Sequence, residues 1–138
     1  MTAPADHTID IREAVVTHLL AASAVTAIVS SRGYGQRVPA NVEWPYFHVG
    51  VLVTDPYEAQ GQAGSDAEFA IHAYARGPDD APCGALSKAI VAAMSDDALP
   101  FDSLGLVSMD WLGTQIMGDD GESADYHGII RFRIVTTV

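Results

Sequence analysis

Positive charge is scarce in this 138-residue sequence: seven lysines and arginines face 18 aspartates and glutamates, and Lys88 is the sole lysine. The net charge of -11 argues against a surface that grips nucleic acid or an anionic membrane, because both draw affinity from clustered basic side chains. Cysteine is nearly absent. Cys83 stands alone, which excludes an internal disulfide and a thiolate-rich zinc or iron–sulfur site within one chain. Long apolar runs are also missing: Ala21 to Val29 falls well short of the roughly 20 residues of a membrane helix. Met1 to His7 lacks the basic-then-apolar layout of a signal peptide, so a soluble, cytosolic chain is expected.

What the sequence does have is core material. Hydrophobic residues make up 49% and charged ones 18%, enough for one core in a single domain spanning residues 1–138, with 1–8 expected as a flexible N-terminus. Ile9 to Val29 reads as helix, with Asp10 and Glu13 as a capping box and Ile11, Val15, Leu19 and Ala22 at helical spacing. Ser23 is placed to cap a second short segment and bend the helix. Ser30 to Val42 has loop punctuation. Phe47 to Thr54 then alternates as a strand, with Phe47, Val49, Val51 and Val53 on one face and Pro45 at its start.

Asp55 to Asp66 has no apolar rhythm and is expected to be an exposed, mobile loop. Ala67 to Arg76 alternates again, with Phe69, Ile71, Ala73 and Ala75 on one face. Pro82 fits the first turn of a helix running to about Ser95, capped by Asp79 or Asp80. Leu106 to Met117 and Tyr126 to Val138 read as a long hairpin joined through Gly118, Asp119, Asp120 and Gly121. The order predicts an α+β fold: a mostly antiparallel sheet, helices packed on one face, and a C-terminal long β-hairpin.

Chemistry is harder to find. His48, His72 and His127 fall in predicted strands that could bring them together, but no two histidines lie within ten residues of each other and no metal-ligand spacing appears. The doublets Asp79-Asp80, Asp96-Asp97 and Asp119-Asp120 are explained by caps and turns. Asp119, Asp120, Glu122 and Asp125 lack the alternating ladder of a calcium loop. Cys83, at a helix start, is either a reactive thiol or a small buried apolar group. No catalytic, cofactor-binding or metal-binding residue is assigned, and no cofactor is expected. Candidate contact residues are Trp44, Tyr46 and Tyr57 around the first strand, Gln60, Gly61 and Gly64 in the loop, Asp119 and Asp120 at the hairpin turn, and Arg131 and Arg133, which need acidic partners within the chain or across a subunit boundary.

The order of these segments carries a resemblance. An alanine-rich first helix, Ser-Ala-Val-Thr-Ala-Ile-Val at 23–29, Arg-Val-Pro at 37–39, Trp-Pro-Tyr-Phe-His-Val-Gly at 44–50 and Tyr-His-Gly-Ile-Ile-Arg-Phe-Arg at 126–133 follow one another. Together they resemble the small tail-completion, or tail-terminator, proteins of long non-contractile-tailed phages and gene transfer agents. The resemblance implies a structural, non-catalytic virion protein, assembled in the bacterial cytoplasm and forming a hexameric ring at the head-proximal end of the tail tube. Its implied partners are other copies of itself, the tail tube protein and the head-tail connector, with DNA passing through unbound. The family has no catalytic residues to carry over, and Pro45-Tyr46 is its most characteristic position here. A head-completion or connector (stopper) protein is the alternative, and a small acid/base enzyme a more distant one.

Overall fold

The computed structural model describes residues 3–95, 98–118 and 124–138. Helix α1 (Thr8–Ala21) starts where the Asp6 carboxylate accepts the Thr8 amide at 3.0 Å and the Thr8 hydroxyl at 2.5 Å. The Asp10–Glu13 capping box does not form, because the helix begins two residues earlier and Asp10 already lies in its first turn, near the positive end of the helix dipole. Ile11, Ala14, Val15 and Leu19 are buried at helical spacing. Ala22 then turns extended (ψ 116°), and α2 (Ser23–Val29) leaves at 83°. The expected bend is present, but Ser23 is its first helical residue, not its cap, and no side chain caps that end.

The strand expected over Phe47 to Thr54 is interrupted. β2 (Tyr46–Val49) and β3 (Val53–Ala59) both pair antiparallel with the 15-residue β4 (Gln62–Arg76), and Val49 faces Ile71 while Val53 faces Glu68. Four steps on one side therefore span three on the other, with the Gly50 N–H donating to Ala70 O at 2.8 Å between them. A one-residue slip reverses which side chains face the core. Phe47 and Val49 are accordingly fully buried, whereas Val51 and Val53 are 81% and 64% exposed.

Asp55 to Asp66 is not a loop. It forms the β3–β4 hairpin, turning at Gln60 and Gly61, both with positive φ (52° and 78°). Pro56 and flanking acids hid this strand from a reading based on alternation, yet they are tolerated on an edge strand, where Pro56 costs no ladder bond. The Ser30–Val42 segment likewise holds a two-residue strand, β1 (Gly33–Tyr34), parallel to β2. Gly33 is required there: a Cβ would lie within 2.4 Å of two Phe47 ring atoms.

Helix α3 (Ala81–Ala93) begins with the Asp79 carboxylate accepting the Ala81 N–H at 2.9 Å and Pro82 in its first turn. β5 (Gly105–Gly118) and β6 (Asp125–Thr137) form the long C-terminal hairpin. Its expected turn at Asp119 to Gly121, and Asp96-Asp97, lie outside the described residues. The sheet order is β1-β2-β4-β6-β5, with β3 beside β2 along the same side of β4, and only β1–β2 is parallel. Phe69, Ile71, Ile130, Phe132 and Ile134 meet Leu19, Leu86 and Ile90 of the helices in one core. The fold is therefore α+β, mostly antiparallel. Its N-terminal segment is docked at residues 5–7: Ser65 Oγ accepts the His7 amide at 2.9 Å and donates to Ala5 O at 2.7 Å, and His7 Nδ1 lies 2.8 Å from Thr136 Oγ1.

Candidate assembly surfaces

Alternation puts the even-numbered residues of β2 and β4 on the sheet face opposite the helices, and strand pairing aligns them into an aromatic and imidazole patch. Tyr46 faces Tyr74, which faces His127, and His48 faces His72. The rings stack: Tyr46 on Tyr74 at 4.7 Å, Tyr74 on His127 at 4.4 Å, and His48 on His72 at 4.8 Å between centroids. His72 Nδ1 and His127 Nε2 are 2.8 Å apart, so one of them carries a proton and donates it. Trp44 closes the patch edge-on to both tyrosines at 5.6 Å, with the Arg76 guanidinium 4.3 Å above its ring and held by Asp125 at 2.7 Å.

The electrostatics follow from this packing. Burial pushes the Tyr46 and Tyr74 hydroxyl pKa values up and the His48 pKa down. His72 falls to about 4, through burial first and then the neighbouring His48 and His127. With His48 and His72 held neutral by burial, the stack of imidazoles and phenols offers geometry for contact. The strand histidines do come together, as strand pairing allowed, yet no group of three His, Cys, Asp or Glu among the described residues has metal-holding geometry. Cys83 is buried, its thiol 3.7 Å from Ala73 O, and burial raises its pKa above the ordinary thiol value.

The candidate contact residues fall in different environments. Trp44 is half-buried and Tyr46 is buried in the patch. Tyr57 lies on β3, and Gln60 and Gly61 form the exposed hairpin tip. Gly64 is buried, and a Cβ there would meet Thr136 O at 1.7 Å; its lack of a side chain lets β4 and β6 approach. Arg133 finds its acid within the chain, where both its Nε and Nη2 donate to Asp66 at 2.8 and 2.6 Å. Arg131 donates to Leu112 O at 3.4 Å. Asp119 and Asp120 lie outside the described residues.

A second surface was missed. On the edge strand β5, Val107, Trp111, Leu112, Ile116 and Met117 are all at least 37% exposed. The signal was available: between Leu106 and Met117 the only charge is Asp110, and apolar residues occupy both faces of a strand that has a neighbour on one side only.

The family model for tail completion protein gp17 matches residues 13–137. The chain belongs to this tail-completion family. Membership makes it a structural component of a phage-type virion tail. Among solved structures, a chain of "Virion of native gene transfer agent (GTA) particle" superposes with a TM-score of 0.82 at 18% identity, covering 97% of this chain and 100% of that one. "Structure of bacteriophage SPP1 gp17 protein" gives a TM-score of 0.63 at 19% identity, covering 95% of this chain and 90% of that one. At such identities these likenesses establish a shared fold. No curated protein matches the sequence.

Proposed function

We propose that this tail-completion protein forms a hexameric ring on the head-proximal end of the tail tube of a gene-transfer-agent-like particle, ends tube polymerisation and joins the tail to the head connector. The observation that carries the reading is the family match over residues 13–137. The fold likeness to a chain of a gene transfer agent virion favours that kind of particle. Two sheet edges with exposed apolar residues suit a subunit whose work is done through contacts.

In this reading the hairpin tip at Gln60 and Gly61, with Tyr57 behind it, reaches toward tube or connector, and Asp119 and Asp120 are further contact residues. Trp44 and Arg131 contribute from the outer sheet face, while Tyr46, Gly64 and Arg133 support it from within the subunit. The charge of -11 per copy gives a channel that repels phosphates over a Debye length of about 8 to 10 Å, so DNA passes without being held.

The test is light scattering and negative-stain imaging of the purified protein, with and without tail tubes. Six-fold rings seated at one end of each tube, with tube length no longer increasing, are expected. Rings with no affinity for tubes, or a channel lined mainly by Arg32, Arg37, Arg76, Arg131 and Arg133, overturn the reading.

A further inference from the structure

Among the described residues, most of the large apolar side chains left exposed gather at opposite edges of the sheet. Val107, Trp111, Leu112, Ile116 and Met117 lie on β5. Val51 and Val53 lie at the β2–β3 edge, 81% and 64% exposed. Ile9 sits nearby, the hydroxyl of the adjacent Thr8 being hydrogen-bonded to that of Thr54 on β3; Val138, at the end of β6, donates its N–H to Ala63 O of β4. Behind the β5 strip, α3 and β5 enclose an open groove of about 380 Å³, lined by Val91, Ala92, Trp111 and Ile116, with Lys88 beside it.

We infer that the β3 edge of one copy seats in the α3–β5 groove of the next, an inference that rests on the ring reading above. Two unlike apolar strips at opposite edges make a head-to-tail contact, which generates a ring where the rotation between copies closes. Were β5 to meet β5 instead, a dimer would form and Val51 and Val53 would remain in water. Charge agrees with the head-to-tail pairing: the chain's one lysine borders the groove, and Asp55 and Glu58 flank the β3 apolar residues. The contact is made by side chains, not by a shared hydrogen-bond ladder. Pro56 takes a donor from the β3 edge, and register shifts at Leu106/Ser108 and Trp111/Gly113 interrupt β5.

Two variants test this by complementation. Val53→Arg spoils the β3 strip and leaves the groove intact; Trp111→Arg does the reverse, and Ile116→Arg stands in for it should Trp111→Arg fail to keep the wild-type far-UV spectrum and urea midpoint. Each variant alone is expected to be monomeric by light scattering, with self-association weakened at least about 30-fold, as for loss of an interface anchor. Mixed, Val53→Arg and Trp111→Arg retain one intact contact and form a 1:1 dimer that does not grow further. Rings formed by Val53→Arg alone, or folded variants that stay monomeric when mixed, overturn the inference and leave the ring reading standing. Wild-type protein that forms no oligomer alone or on tubes overturns both.

Discussion

Acid should loosen the imidazole patch before it touches the carboxylates, and His72 allows the size of the effect to be worked out. Its pKa in the folded chain is about 4 against an ordinary 6.5, because burial and the facing His48 and His127 disfavour the charged form. The unfolded chain therefore binds more protons between these two values, so stability is full above pH 6.5, declines as pH falls toward 4, and changes no further below that on account of this group. The full shift corresponds to about 3.4 kcal/mol. His72 is only half-buried, and solvent screening reduces this to about 1.5 kcal/mol. Asp6 and Asp66 have lowered pKa values, through bonds from Thr8 and Arg133, and what they add is lost only as pH falls through the acid range below 3.8. The window from pH 6.5 to 4.5 thus isolates the histidines. Urea unfolding at fixed protein concentration, followed by the fluorescence of Trp44 in the patch, is the assay. His72→Gln should lose about 1 kcal/mol less than the wild type between pH 7 and 4.5, with His48 supplying part of what remains. Identical pH profiles for the two proteins would refute the argument that burial in this stack holds His72 neutral.

Two substitutions probe the packing. Gly64→Ala drives a methyl group to 1.7 Å from the Thr136 backbone O, so β4 and β6 must separate there; a loss of about 3 kcal/mol in urea unfolding is expected, the upper end for overpacking, and a loss under 0.5 would show that the strands yield easily. Phe132→Ala removes one of the largest fully buried side chains, whose ring stacks on Phe69 at 6.2 Å, and should cost about 3 to 5 kcal/mol by the same measurement.

Legibility in the sequence tracked physical regularity. α1, α3, β6 and the core half of β4 were readable because each repeats its apolar residues at a constant period against one continuous core: Ile11, Val15, Leu19 along the helix, and Phe69, Ile71, Ala73 and Ile130, Phe132, Ile134 along the strands. The reading failed where periodicity breaks. The slip at Gly50 reverses Val51 and Val53, and nothing local distinguishes a valine facing a core from one facing solvent. β3 was lost because edge strands carry proline and acids for the same reasons loops do. Of the candidate surfaces, the stacked patch was half visible: the histidines and tyrosines stood out, but their alignment depends on the β2–β4–β6 register, which is a long-range property. The β5 strip was treated as one arm of a hairpin because its edge position emerges only from the sheet order.

Net charge and exposed apolar edges pull assembly in opposite directions, and salt separates them. Copies carrying -11 each repel one another as they approach, while the strips at β3 and β5 gain from leaving water regardless of ionic strength. One lysine per copy cannot outweigh this repulsion. Raising ionic strength from about 0.01 M to 0.15 M shortens the Debye length from roughly 30 Å to about 8 Å, which removes most of the repulsion between neighbouring subunits and little of the apolar attraction. Association between copies should therefore tighten with added salt, read as a rise in weight-average mass by light scattering at constant protein concentration. An interface held by ion pairs, with Arg131 or Arg133 meeting acids of the next copy, would weaken over the same range. Dissociation on adding salt would therefore reject the apolar edges as the source of cohesion and return the arginines to that role.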